Sequence, residues 1–329
     1  MMALMLLEQS RDKKPFDLAI AGELNLDLVL YGLPLDMPTE RDLIGSSFVC
    51  TLGSSSAIVA HNAAVLGLRV QFSSLAGDDD FGAIALDRLK QAGIDTAGTR
   101  LDRSTTTGVT ILLPHGDQRH SLISMGSIAE LTVGHLDLGR LVQARHFHLS
   151  SLYLQKGLHS GIVAMLVQLR SAGLTLSLDT NDDPDDAWGP PLAELLPLVD
   201  FFMPNERELC CITGGDNLDR ATQIFAERFG DQAPILVIKR GRHGCRIGRR
   251  SQVFDVAGLS VEPIDTIGAG DSFNAGFLTA YLRGKDLATC ARIGNITAAL
   301  STLSNGGTEA FRDATLREAF LTEHGYFKL

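Results

Sequence analysis

Apolar positions along this 329-residue chain follow two periods. The run "FDLAIAGELNLDLVLYG", residues 16–32, is rich in strand-forming residues, and "SSFVCTL", "TGVTILLP" and "RHSLISM" read as further short strands joined by polar turns. By contrast "HNAAVLGLRVQFSSLAG", "SGIVAMLVQLRSAGLTLSLDT", "LDRATQIFAERFGDQAPILVIKRG" and "DLATCARIGNITAALSTL" carry apolar residues at helical spacing, and three of them lead straight into apolar strands. Helix feeding strand is the mark of parallel βαβ units, so the pattern predicts an α/β body with a doubly wound sheet and helices on both faces. A small β element from about residues 28–50 and 105–125 would project from it as a lid. There is no internal repeat and no linker rich in Pro, Ser or Gly, which leaves one domain over residues 16–315 and an N-terminal tail over 1–15.

Composition narrows the function class. With 45% hydrophobic and 21% charged residues the chain has the make-up of a globular protein. A formal net charge of -10, without any basic run, gives no field for a phosphodiester backbone, so nucleic acid is excluded as the main partner and a small molecule is expected. No uncharged apolar span approaches the roughly 20 residues a membrane helix needs. The opening "MMALMLLEQSRDKKPF" lacks the basic start and cleavage site of a signal peptide. Cys50, Cys210, Cys211, Cys245 and Cys290 are an odd, scattered set without CxxC spacing, which predicts reduced thiols in the cytoplasm.

The densest candidate chemistry lies in "DTIGAGDSFNAGF", Asp265 to Phe277. Gly268, Ala269 and Gly270 carry almost no side chain, so their amides can curl around an anion at the start of the helix that follows. An acid beside such a nest is poorly placed to bind phosphate but well placed to take the proton of a hydroxyl attacking it, which makes Asp271 a candidate general base. The plainer alternative is that Asp271 only caps the helix. No GxGxxG follows the first strand and no GxxxxGK[ST] occurs anywhere, which removes a nicotinamide dehydrogenase and a P-loop enzyme. His146 and His148 in "HFH" have the spacing of two ligands on one strand face, but no third ligand joins them, so interior histidines are expected. Arg119, in the small β element, is a candidate contact for an anionic substrate.

The same stretch resembles the C-terminal signature of the PfkB, or ribokinase-like, family of sugar and nucleoside kinases, and the similarity runs from about Phe16 to about Phe311. The resemblance implies ATP and Mg²⁺ as cofactors, and acceptor-binding positions at Asn25 and Asp27 in "GELNLDLV" and at Gly53 and Ser54 in "LGSSSAIVAHNAAVLG". It puts Asn205 and Glu208 of "PNERE" near Mg²⁺, largely through water, and Asn181, Lys239, Gly241, Gly244 and Asn295 around the nucleotide. It also implies a monovalent cation such as K⁺ at Asp265 and Ile267. Two departures stand out. Ser54 replaces a usual glycine with Ile58 where asparagine is common, and Asp183 of "DTNDD" replaces a frequent arginine, which removes a basic ligand for an acceptor bearing its own phosphate. The implied activity is ATP-dependent phosphorylation of a sugar hydroxyl. The alternatives are a nucleoside kinase, disfavoured by the few aromatics among lid residues such as Leu28, Tyr31 and Phe48, and a non-catalytic binder. Apolar residues of the small β element, among them Val29, Leu30, Val109, Ile111 and Leu113, would leave a face that a second copy covers, so a homodimer is expected.

Overall fold

Alternation within strand β1 (Phe16–Ala21) sets the layering of the body: Leu18 and Ile20 belong to one core and Ala19 and Ala21 to another, all four fully buried. This computed structural model describes residues 14–115, 118–250 and 252–328, so the expected tail over 1–15 lies almost wholly outside the described residues. Along the chain the other strands are β2 (Asn25–Tyr31), β3 (Ser47–Leu52), β4 (Val70–Ser73), β5 (Leu75–Gly77), β6 (Arg100–Asp102), β7 (Gly108–His115), β8 (Gln118–Ser124), β9 (Ala144–Leu149), β10 (Thr175–Leu178), β11 (Phe201–Phe202), β12 (Ile235–Lys239), β13 (Cys245–Arg249) and β14 (Gln252–Val256). The main sheet runs β14-β13-β12-β11-β10-β9-β1-β4, parallel from β12 to β4 and antiparallel through β13 and β14. One face is covered by the helices Ile162–Ser171, Glu206–Thr213 and Leu218–Phe229, and the other by Ser55–Val65, Asp80–Gln91, Ala269–Leu282 and Leu287–Ser301. Helices on both faces are thus as the sequence pattern predicts. No helix of the described residues is long and apolar enough to cross a membrane.

The β-rich run 16–32 is two strands in two sheets rather than one strand. It breaks at Gly22-Glu23-Leu24, where the backbone runs so close to Ser56 that a Cβ on Gly22 would stand 2.1 Å from the Ser56 hydroxyl oxygen, so only glycine fits. The second piece, β2, lies centrally in a four-stranded sheet ordered β3-β2-β7-β8. Its period of two sends Asn25, Asp27, Val29 and Tyr31 to one face and Leu28 and Leu30 to the other. On the inner face Val29 and Leu112 pack with Ile267 of the body. On the outer face Phe48 and Ile111 are 60% and 40% exposed, and Leu122 on the neighbouring strand is 53% exposed. The expectation that Val29 and Leu113 would line an uncovered face is therefore corrected: Val29 is buried because it alternates away from the outer apolar set, and Leu113, although it shares a face with Ile111, is buried too.

Candidate active site

Five strands of the main sheet deliver polar side chains to one end. Glu23 follows β1, Ser151 follows β9, Asp179 and Asn181 follow β10, Asn205 follows β11, and Lys239 ends β12. These are carboxyl ends of parallel strands, and β1 sits between β4 and β9 where the connections diverge, the place at which an open α/β sheet leaves a crevice. Among the described residues, three non-glycine positions with left-handed backbone gather here: Ser54 (φ 68°), Ser151 (φ 52°) and Asn181 (φ 53°). Such conformations cost on the order of 1 kcal/mol or more and persist only where the surroundings hold them. Here they are held: Asn181 Oδ1 accepts from the Ser151 amide at 2.9 Å, and the Ser54 hydroxyl accepts from the Ala57 amide at 3.0 Å while donating to the Glu23 carbonyl at 2.5 Å.

The helix Ala269–Leu282 begins with Gly268 (φ 71°) in the cap position, with no side-chain cap. Only glycine fits: a Cβ there would lie 2.6 Å from the Gly307 Cα and 3.2 Å from Ile58 Cδ1. Ile58, a departure from the family pattern, thus backs the glycine turn. Asp271 is the third residue of the helix rather than its cap, so the simple capping alternative does not hold. Its carboxyl is pushed up to about 6, first by burial and then by the Asp179 charge, against the pull of Lys239 and a hydrogen bond with Ser55. Because the Ser55 oxygen accepts the Asn181 side-chain amide at 2.8 Å, its own proton is left for Asp271. The order Asn181, Ser55, Asp271 fixes the carboxylate beside first-turn amides that have no intrahelical acceptor.

Lys239, its side chain 11% exposed, pairs with fully buried Asp179 Oδ2, and its ammonium stands 3.6 Å from where a Cβ on Gly270 would be. Burial works against the ammonium, but Asp179 and Glu208 outweigh it and raise its pKa. Asn205 and Glu208 form a reciprocal helix cap, the Glu208 amide donating to Asn205 Oδ1 at 2.9 Å and the Asn205 amide to Glu208 Oε2 at 2.8 Å. Burial and then the Asp179 charge push Glu208 up to about 7, with Lys239 opposing. The Gly241 and Gly244 turn continues directly from Lys239, and a Cβ on Gly244 would stand 2.1 Å from the Val256 carbonyl. Asn295 closes the same corner, donating its amide to the Val256 and Ala257 carbonyls at 3.1 and 3.0 Å.

The opposite wall comes from the small sheet. Asn25 Nδ2 donates to Thr110 Oγ1 at 2.9 Å and lies 3.4 Å from Asp27 Oδ1. Burial and then the Asp271 charge push Asp27 up to about 7, offset by Arg119 and by hydrogen bonds from Thr110 and Asn25. Gly53 leaves these two groups their room, since a Cβ there would stand 2.2 Å from Asp27 Oδ1 and 2.8 Å from Asn25 Nδ2. Asp265 Oδ1 accepts the Ile267 amide at 2.9 Å, while its Oδ2 accepts the Tyr31 hydroxyl at 2.7 Å and the Gly306 amide at 2.9 Å.

The residues singled out in the sequence therefore fall in two adjoining groups, a small-sheet wall (Asn25, Asp27, Gly53, Arg119) and the glycine turn with its charged surroundings (Gly268, Ala269, Gly270, Asp271, Asn181, Asn205, Glu208, Lys239). Ser54 and Asn295 direct their polar atoms into the protein's own backbone. Asp183, where an arginine is frequent, staples its loop by accepting the Asp185, Ala187 and Trp188 amides. Glu23, Ser55 and Asn274 went unread. Glu23 takes both the amide and the hydroxyl of Ser56, at 3.2 and 2.7 Å, and Asn274 donates to Asp179 Oδ2 at 2.6 Å. The only signal for Glu23 was an acid directly after a buried apolar strand. His146 and His148 are interior as expected, His148 pushed down to about 4 by burial, and no group of three or more His, Cys, Asp or Glu is placed for a metal among the described residues.

A sequence model described as the pfkB family carbohydrate kinase matches residues 16–314. The chain is 30% identical over 311 residues to an ATP-dependent ribose-1-phosphate kinase of Halopiger xanaduensis, covering 92% of this chain and 97% of that one. It is 28% identical to the ribokinase of Haemophilus influenzae, covering 88% and 93%. In fold it matches a putative ribokinase II from E. coli with a TM-score of 0.80 at 23% identity, covering 94% and 100%. An Arabidopsis thaliana ribokinase complexed with ribose and ATP matches with a TM-score of 0.78 at 22% identity, covering 93% and 98%.

Proposed function

Because the chain belongs to the pfkB family of carbohydrate kinases, and is thus an ATP-dependent phosphotransferase, we propose that it phosphorylates a hydroxyl of a small sugar with Asp271 as general base. The observation that carries this reading is that Asp27, from the small sheet, and Asp271, from the helix start, are both buried and near enough for the Asp271 charge to raise the pKa of Asp27, with Gly53 leaving Asp27 and Asn25 their room. An acceptor hydroxyl held by Asn25 and Asp27 then faces the Asp271 carboxylate. As the new O–P bond forms and the bond to ADP breaks, the hydroxyl proton passes to Asp271. The amides of Gly268 to Gly270 and the Lys239 ammonium meet the charge that develops on the transferred group.

Mg²⁺ fits the charge balance, since the buried carboxyl groups of Asp179, Glu208 and Asp271 share Lys239 as their cation. It would be held by Glu208 and Asn205 through water, without a direct protein trio, as is common for this ion. When bound it neutralises charge on the β- and γ-phosphates. A monovalent cation fits Asp265 Oδ1, which accepts one amide, together with the Ile267 carbonyl, and would order this loop. Free cysteines accord with a reducing cytoplasm.

A second reading is an acceptor with an anionic group of its own. Arg119 favours it, through its charge acting on Asp27, while Asp183, turned onto backbone amides, offers no cation. An ADP-release assay over free pentoses and hexoses, sugar acids, ribose 1-phosphate and nucleosides tests both. Turnover is expected on a free sugar, and Asp27→Asn should raise that acceptor's KM at least about tenfold with the ATP KM nearly unchanged. A selective loss of ATP affinity would place Asp27 wrongly, and turnover on nucleosides alone would sink the sugar reading. Equal rates in K⁺ and in a large organic cation would remove the ion.

The outer face of the small sheet carries Phe48, Ile111 and Leu122 without cover from the described residues, and we propose that a second copy covers it. Light scattering at micromolar concentration should give twice the chain mass of 35.4 kDa, falling to the single mass in Ile111→Lys. A monomer in the unaltered protein, or a dimer indifferent to that change, rejects this interface.

A further inference from the structure

The small sheet reaches the anion-binding loop as well as the acceptor wall. Asn25, Asp27, Val29 and Tyr31 share the inner face of β2, so the strand that presents Asp27 at one end presents Tyr31 at the other. There the Tyr31 hydroxyl donates to Asp265 Oδ2 at 2.7 Å, across 234 residues of sequence. Burial and the neighbouring carboxylate keep that hydroxyl protonated, as a donor must be. Asp265 also takes the Gly306 and Ile267 amides, so one carboxylate ties the sheet, the loop entering the Gly268 turn and the loop entering Gly307. Beneath it the Ile267 side chain is buried with Val29 and Leu112. At the far end of β3, Thr51 Oγ1 donates to Glu309 at 2.8 Å, and a Cβ on Gly306 would stand 2.7 Å from the Thr51 methyl.

β2 is paired along its length with β3 and, over most of it, with β7, so it moves as a unit. Shifting Asp27 over an acceptor shifts Tyr31, and Tyr31 pulls on Asp265, whose other carboxylate oxygen holds the Ile267 amide just before the Gly268 turn. We propose that Tyr31 is a positioning residue that couples the two half-sites: closure of the small sheet over the acceptor sets the loop from Asp265 to Gly268, and a nucleotide at that loop in turn holds the sheet closed. The inference rests on the kinase reading for what occupies each half-site. Coupling of this kind is reciprocal, and each ligand raises the affinity of the other by the same factor. Tyr31→Phe isolates the bond, because the ring keeps its packing against the Val29 cluster and Asp265 keeps both backbone donors.

Amide hydrogen exchange with a non-hydrolysable ATP analogue, AMP-PNP with Mg²⁺, tests the coupling without any acceptor. In the unaltered protein the analogue should slow exchange in residues 263–271 and also in β2 and β3, by about fivefold or more. In Tyr31→Phe the slowing should persist in 263–271 and vanish in β2 and β3, with the ligand-free melting temperature close to that of the unaltered protein. For the sugar found by ADP release, the variant should raise the acceptor KM at saturating ATP and the ATP KM at saturating acceptor by similar factors, while leaving the affinity for AMP-PNP alone unchanged, a pattern that general loss of stability does not produce. Undiminished protection of β2 in the variant, or no protection of β2 in the unaltered protein, overturns the proposal. Protection of β2 in a protein that phosphorylates no sugar would sink the kinase reading and leave the coupling standing.

Discussion

Asp271→Asn is expected to lower kcat by about 10² or more while leaving nucleotide affinity within about twofold. The carboxamide matches the carboxylate in shape and can still accept the Ser55 hydroxyl, so the Asn181, Ser55 chain and the helix start stay in place. What it cannot do is take a proton. The pH dependence supplies an independent check. A base must be deprotonated to work, and with Asp271 at about 6 the unaltered enzyme should lose kcat, measured at saturating acceptor, as pH falls through that value. Asp271→Asn should lack this limb on whatever rate remains, whereas Asp27→Asn should keep it. Unchanged turnover in Asp271→Asn would reduce the residue to a part of the helix, and an unchanged acid limb would assign the titration elsewhere. The experiment needs only a saturating acceptor from the ADP-release screen.

What the sequence disclosed and what it withheld follow from how far apart the interacting residues lie. The Gly268 to Asp271 nest was legible because its parts are contiguous, and the Asn205, Glu208 pair because a reciprocal cap spans three residues. The βα alternation gave the body for the same reason, each helix and strand declaring its own period. Ser55 carries no such mark. It matters because Asn181, 126 residues away, donates to it and leaves its proton for Asp271. Asn274 acquires its meaning only on meeting Asp179 across 95 residues. The break between β1 and β2 was hidden because both pieces are equally strand-like, and the close approach of Ser56 that requires glycine at position 22 comes from 34 residues further on. Sheet facing was misjudged at Val29 by one position of alternation, since the sequence does not say that Ile267 arrives from the far end of the chain to cover it. Departures from the family pattern were visible as letters, but their use was not: Ile58 packs on Gly268 and Gly307, and Asp183 binds three amides of its own loop.

Lys239→Met should destabilise the magnesium-free protein by about 3 kcal/mol or more at pH 8, and by clearly less at pH 5.5. The lysine is the cation that buried Asp179 pairs with, and it holds down the pKa values of Glu208 and Asp271 against burial. Glu208 at about 7, Asp27 at about 7 and Asp271 at about 6 all lie above their unfolded values, so the folded state binds more protons than the unfolded chain across this range. Their favourable contribution is complete below the unfolded values of about 4, and it is lost as pH rises through 6 to 7. Even the unaltered ligand-free protein should therefore melt lower at pH 8 than at pH 5.5, before the acid-side loss of carboxylates such as Asp17 and Asp255, whose pKa values are lowered, takes over. Without Lys239 the buried carboxylates lose their compensation and the fall with pH steepens. At pH 5.5 proton uptake by Glu208 and Asp271 substitutes for the missing charge. Activity should fall with it, because the ammonium beside Gly270 would no longer meet the charge arriving at the nest. Thermal denaturation of both proteins in EDTA at matched ionic strength gives the comparison. A penalty of equal size at pH 5.5 and pH 8 would mean that Lys239 acts through the packing of its stem, and the electrostatic account of this site would have to be abandoned.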